Sequence, residues 1–254
     1  TALITDTLND RRNLSAHRVE FDINPNFEFA FNEMVIYAYR DFELGYLNPV
    51  NFLFAEEQTQ GDLDNKLMAI DFKWRVHTGL TTYGSWFFDE LDFWKLFSGW
   101  WGNKFVFQLG ATYYPKRNLP SLSLEYTAAR PWTYTHKNPI NSFTSGGRAL
   151  GLPLGPNSSI LSISSTWSYS SKLNIWALYE WETNYDGVGS DILQAYSYTE
   201  LEENPSEGFW NGDKNQSTYF QVLAQYRMTQ SLSFGIDVAQ REKLTTTLSA
   251  KFRY

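Results

Sequence analysis

About eleven segments of period-two alternation, connections that are short and long by turns, and an aromatic share of 18% together predict an all-β fold. The expected architecture is a transmembrane, antiparallel, up-and-down β-barrel. Each segment is about ten residues long, the length a tilted strand needs to cross a bilayer. Helical periodicity is weak throughout. No run of about 18 apolar residues occurs, so no transmembrane helix is available.

The segments follow in order. Residues 14–23 set Val19, Phe21 and Ile23 against Arg18, Glu20 and Asp22. Residues 27–37 put Phe27, Phe29, Phe31, Val35 and Tyr37 on one face, with Glu33 falling among them as a bulge or as a polar group at the membrane edge. Residues 67–77 set Met68, Ile70, Phe72, Trp74 and Val76 against Asp71, Lys73 and Arg75. Residues 79–88 alternate least clearly. Residues 104–114 oppose Phe105, Phe107, Leu109, Ala111 and Tyr113 to Lys104, Gln108 and Thr112. Residues 119–130 oppose Leu122, Leu124, Tyr126 and Ala128 to Ser121, Ser123, Glu125 and Thr127. Residues 159–169, 172–182, 217–228, 231–241 and 244–254 continue in the same way, with Glu180, Glu182, Arg227, Asp237, Lys251 and Arg253 in the polar row.

The connections sort by side. Tight turns fall at Asn24-Pro25-Asn26, near Thr78, at 115–118, at Ser170-Ser171 and at Thr229-Gln230. Long loops fall at 38–66, 89–103, 131–158 and 183–216. Only the hairpin near Glu242-Lys243 breaks the alternation. Outer-membrane barrels sort their loops in this manner, short at the periplasm and long outside. This reading puts residues 1–13 outside and the C-terminus in the periplasm. An odd strand count and an outside start both imply an incomplete barrel: one domain over 1–254, its N-terminal strands absent or supplied by a second chain that closes it.

Composition narrows the functions. Trp and Tyr number 26 against 21 Lys plus Arg. Amphipathic rings gather where an apolar layer meets water or where sugars bind; a soluble carbohydrate-binding β-protein shares that excess. A net charge of −7 argues against nucleic acid, which needs a basic stripe. Cysteine is absent, which excludes disulfides and thiolate metal sites. His17, His77 and His136 are scattered, with no nucleophile–base spacing, so no catalytic residue, cofactor or metal site is assigned. Asp62, Asp64 and Asn65 lack the full calcium-loop pattern and read as a solvated turn, as do Asp89, Glu90 and Asp92.

Two stretches carry the motifs. One runs Glu125-Tyr126-Thr127-Ala128-Ala129-Arg130-Pro131-Trp132-Thr133-Tyr134-Thr135-His136. The other runs Gly146-Gly147-Arg148-Ala149-Leu150-Gly151-Leu152-Pro153-Leu154-Gly155-Pro156-Asn157-Ser158. With Leu14-Ser15-Ala16-His17-Arg18, Glu33-Met34-Val35-Ile36-Tyr37, Tyr46-Leu47-Asn48-Pro49 and Gly61-Asp62-Leu63-Asp64-Asn65, their order resembles the Wzi family of capsule-assembly outer-membrane proteins. The resemblance covers the C-terminal portion of a barrel of about 18 strands; the family's N-terminal helical region has no counterpart. It implies a lectin-like, non-enzymatic role in a Gram-negative outer membrane, holding capsular or other surface polysaccharide, with lipid and lipopolysaccharide around the wall.

Polysaccharide-binding candidates are Trp94, Trp100, Trp101, Arg130, Trp132, Tyr134, His136, Asn141 and Trp210. Exposed rings stack on pyranose faces, and their polar neighbours bond hydroxyls. The plain alternative is that the rings pack the loops into a plug or form the interface girdle. Glu125, Tyr126, Gly147, Gly151, Gly155 and Pro156 are assigned structural roles by the resemblance. Inward charges either line a pathway for small solutes or pair to hold a plugged barrel rigid. A porin-like channel and an accessory barrel of an envelope assembly are therefore the competing functions.

Overall fold

Alternating side chains leave each segment two unlike faces, and the chain satisfies both by building one long antiparallel sheet. The computed structural model describes residues 2–5, 11–41, 43–48, 50–59, 61, 63–96, 98–115, 119–195 and 208–252. Its strands are β1 (Ala2–Thr5), β2 (Arg11–Asn24), β3 (Phe27–Ala38), β4 (Asn65–His77), β5 (Leu80–Glu90), β6 (Lys104–Tyr113) and β7 (Leu122–Ala129). After them come β8 (Thr144–Ser145), β9 (Arg148–Ala149), β10 (Ser158–Ser168), β11 (Leu173–Tyr185), β12 (Lys214–Arg227), β13 (Leu232–Gln240) and β14 (Leu244–Phe252). Twelve of them form a single meander in chain order, in which β7 passes directly to β10. The two-residue strands β8 and β9 make a small hairpin inside the intervening loop.

The eleven expected strands are all present. The addition is β1, which pairs with β2 from Ala2↔Leu14 to Thr5↔Arg11 inside the stretch read as an outer loop. Four residues are too few to display an alternation. Glu33 stands in unbroken register with His17 and Met68, so it is not a bulge. The register shifts fall near strand ends, at Asp22/Asn24, Arg75/His77 and Phe88/Glu90.

Register decides what each face shows, because directly opposed residues point the same way. One rung runs Ala30–Asp71–Ser85–Gln108–Thr127–Ile160–Glu182–Ser217. The next rung over runs Phe29–Phe72–Gly84–Leu109–Tyr126–Leu161–Trp181. The first lies on the polar face and the second on the apolar face. On the polar face Arg18 binds Asp71 at 2.6 Å, and Lys73 and Arg75 each approach Glu28 at 3.4 Å.

Burial is concentrated where the long loops are. The last four residues of β3 and the first three of β6 are buried, whereas all of β14 is exposed. Loops thus fold back onto the strand ends they leave. The 241–243 connection is short, and Gln240 pairs with Phe220, so Lys214–Tyr219 of β12 stand beyond the end of β13.

Neighbours on β10 test the two faces. Ile163→Arg, on the apolar face, should cost about 2–4 kcal/mol at mid-bilayer depth. Ser164→Arg, on the polar face, should cost less than about 1 kcal/mol. Urea unfolding in lipid vesicles would measure both, and equal costs would contradict the assignment of faces.

Candidate functional site

The loop between β7 and β10 leaves one strand and crosses the polar face to another far away. Its anchor is Arg12 of β2. The buried guanidinium donates to the carbonyl oxygens of Ile140 (2.6 Å), Ser142 (2.7 Å) and Thr144, and to the Thr144 hydroxyl (2.7 Å). Charge-assisted bonds of this kind contribute about 1.5–3 kcal/mol each when buried. Asn65 Nδ2 donates to the Asn141 carbonyl (2.9 Å), and Asn141 Nδ2 to the Leu63 carbonyl (3.0 Å). Apolar contact completes the anchoring. Tyr134, Phe143 and Leu152 of the loop join Ile36, Leu67, Val106 and Ala129 of the wall in one buried cluster.

Tyr134 is the keystone of the loop. Its backbone has φ of +73° and that of Trp132 +65°, a costly conformation for bulky residues that persists only where surrounding contacts hold it. Here the Tyr134 N–H donates to Asp89 (2.9 Å), and its hydroxyl accepts from the Leu152 N–H (2.8 Å). The ring lies 5.4 Å from Phe87 and 5.9 Å from Phe143. Burial pushes the phenol above its ordinary pKa, so the hydroxyl stays neutral. Gly151 abuts that hydroxyl, and a methyl group there would overlap it.

Beneath this loop the polar face bounds a half-open cavity of about 420 Å³, within the range of small-molecule sites. Phe87, Tyr134 and Leu152 supply its apolar side; Gln108, Glu125, Ser162 and Glu180 supply its polar side. Register places them. Tyr83, Gly110 and Glu125 share a rung. Because residue 110 has no side chain, the Tyr83 ring lies over it and its hydroxyl reaches Glu125 at 2.7 Å. Ser162 donates to Glu180 at 3.0 Å. Two fixed carboxylates beside aromatic rings are suited to accept bonds from hydroxyl groups of a sugar.

The sequence candidates are dispersed over the loops. Tyr134 lines the cavity. Asn141 and His136 are buried in the crossing loop, where His136 Nδ1 accepts from the Asn138 N–H at 3.1 Å. Trp101 and Trp132 form a buried pair with Trp100 packed against them. Arg130 is buried too. It donates to the carbonyls of Gly99 (3.1 Å) and Trp100 (3.2 Å), its guanidinium faces Phe105 and Phe209, and burial lowers its pKa. Trp94 is 98% exposed. Trp210, half-buried, stacks on Tyr185 at 5.2 Å and 8°. In this arrangement Trp94, Trp100 and Trp210 are the candidate Trp rings with surface available to a ligand.

Motif residues divide differently. Glu125 and Gly151 line the cavity, whereas Tyr126 sits on the apolar face near Phe107. Gly147 and Gly155 turn the loop at φ of +73° and +79°, and Pro156 is buried beside Asn157. Asn157 donates to the carbonyls of Tyr185 and Asn211, and its Oδ1 accepts from the Asn211 N–H, so two long loops are held together. Sequence reasoning passed over Gln108, Ser162 and Glu180 as site residues. The available signal was Glu180 in a polar row, and only register shows that it shares a cavity with Glu125.

Replacing Arg12 by Ala should free the crossing loop while leaving the strands paired. Trypsin cleavage after the exposed Lys137 should then accelerate by at least about tenfold, the loss of about 1.4 kcal/mol of local protection. Unchanged cleavage, followed by mass spectrometry, would show that the loop is held by other contacts.

No family model matches the chain, and no curated protein does. Among solved structures it is similar to Wzi, a carbohydrate-binding β-barrel of the Escherichia coli outer membrane involved in group 1 capsule assembly. That likeness has 11% identity and a TM-score of 0.60, covering 94% of this chain and 50% of the other, so the chain spans about half that structure's length. Weaker likenesses are to Salmonella typhi OmpF in complex with daunomycin (9% identity, TM-score 0.40, 95% and 96% covered) and to Pseudomonas aeruginosa OccD3 (11%, 0.37, 96% and 69%). Taken with the meander of two-faced strands, the likeness to Wzi gives the fold: this chain is built as the wall of a β-barrel of the kind that Wzi forms.

Proposed function

We propose that the chain is part of a non-enzymatic outer-membrane barrel that binds surface polysaccharide on its polar face, under the loop anchored by Arg12. The cavity lined by Tyr134, Gln108, Glu125, Ser162 and Glu180 is the observation that carries this reading. Rings give a pyranose an apolar face to rest on, and carboxylates take its hydroxyl hydrogens. Trp94, Trp100 and Trp210 stand on the loops as a second contact region for a longer polymer. In this reading the long loops are extracellular, the short turns periplasmic, and the apolar face meets lipid and lipopolysaccharide. The wall is completed by strands outside this chain or by a second chain.

The test is calorimetric titration of the purified protein with surface polysaccharide extracted from its own bacterium. The double variant Glu125→Gln/Glu180→Gln should weaken binding by at least about tenfold, the loss of roughly one charge-assisted hydrogen bond. Ser164→Ala, on the same face and away from the cavity, should leave it unchanged. Absence of binding by the unaltered protein would remove the reading.

A channel for anionic solutes is the second reading, and one observation favours it. Arg227, Ser233 and Lys251 share a rung, and Lys172 joins Arg227 in lining a recess of about 260 Å³ without a carboxylate. Among the described residues, none of these three cations has an ion-pair partner, unlike Arg18, Lys73, Arg75 and Arg241. Planar-bilayer recording separates the two functions. An electrically silent barrel fits the roofed binding site, and steady anion-selective current fits the channel.

A further inference from the structure

The long loop between β3 and β4 folds onto the apolar face, opposite to the face that receives the crossing loop. Two short helices shape it, α1 (Leu44–Leu47) and α2 (Leu53–Thr59). Val35 and Tyr37 of β3 are fully buried there against Tyr46 and Leu53. Their neighbours Met34 and Ile36 belong to the cluster on the polar face. Strand alternation therefore fixes the helices outside the wall. Polar contacts hold the segment in place. Glu33 accepts from the Leu53 N–H at 3.0 Å, and the Tyr46 hydroxyl donates to Asp64 at 2.8 Å. Arg40 pairs with Asp64 and lies over the Tyr37 ring at 4.9 Å.

The outward side of the segment is apolar. Leu44 is 79% exposed, Leu47 42%, Val50 87% and Phe52 62%. Four large apolar side chains on so short a stretch call for a partner. Position identifies that partner, because the Phe52 ring lies 6.2 Å from Phe31, a member of the apolar row of β3. The exposed residues thus continue the surface that faces lipid. We propose that the α1–α2 segment lies flat against the wall and seats Leu44, Leu47, Val50 and Phe52 among the acyl chains of the leaflet nearest the long loops. Interfacial amphipathic segments bind membranes in this manner, apolar side down and polar anchors above.

The chain contains no cysteine, so single-cysteine variants can be labelled cleanly. Val50→Cys would carry an environment-sensitive fluorophore in full-length protein reconstituted into phosphatidylcholine/phosphatidylglycerol vesicles containing acyl-chain spin-labelled lipid. Leu109→Cys, on the apolar face of β6, is the lipid-exposed reference; Lys137→Cys, on the crossing loop, is the aqueous one. Val50→Cys should show blue-shifted emission and lipid quenching at least about half that of Leu109→Cys. Emission and iodide quenching matching Lys137→Cys would overturn the proposal. So would efficient Val50→Cys disulfide dimers on oxidation in place of lipid quenching, since a second copy would then occupy the patch. Failure of Leu109→Cys to meet lipid would instead count against the barrel reading itself.

Discussion

Hydrocarbon offers no water to a peptide group, so each backbone N–H and C=O crossing it must find a partner within the protein. The meander of antiparallel strands answers that constraint by exchanging ladder bonds with neighbours in chain order. Pairing then dictates the side chains. Every strand shows alternate residues to opposite faces, and opposed residues agree, so one face becomes mainly charged and hydroxylated and the other mainly aromatic and aliphatic. On the polar face this supports a long loop tied by guanidinium, amide and carbonyl groups. The cavity exists because that loop roofs a face already rich in carboxylates and hydroxyls.

Strand β3 is the hinge of this logic. Met34 and Ile36 serve the loop from β7, while Val35 and Tyr37 serve the helices of its own following loop. Four consecutive side chains are packed from two sides by segments whose nearest packing residues, Leu53 and Tyr134, are 81 apart in sequence. A substitution here acts on one face or the other according to a shift of a single residue. On the polar side the anchoring rests on Arg12, whose bonds to three carbonyls and a hydroxyl give the crossing loop a fixed seat.

The strands were legible because period-two alternation is a local property, visible in any ten residues. Loop lengths were legible for the same reason, since turns are marked by local residues such as Pro25 and Ser170-Ser171. What the loops do was not legible. Helices of four and seven residues are too short to show a period of 3.6, and they stand on contacts with Val35 and Tyr37. One signal was present: Glu33 among phenylalanines. A carboxylate in an apolar row needs a donor, and the donor is the Leu53 N–H of the covering segment. The burial of Trp101, Trp132 and Tyr134 depends on loops meeting from distant strands, and composition alone gave no way to separate them from the exposed Trp94. Gln108, Ser162 and Glu180 became site residues only through register.

The abrupt connection at 241–243 leaves the wall uneven. Six residues of β12 rise beyond the last pair with β13, roughly 20 Å along the strand at about 3.3 Å per residue. The rim of the described wall is therefore stepped at β12 rather than level. Under the proposed reading a linear polymer would need no free end to engage such a step; it would be draped sideways across it while both of its ends remain attached elsewhere.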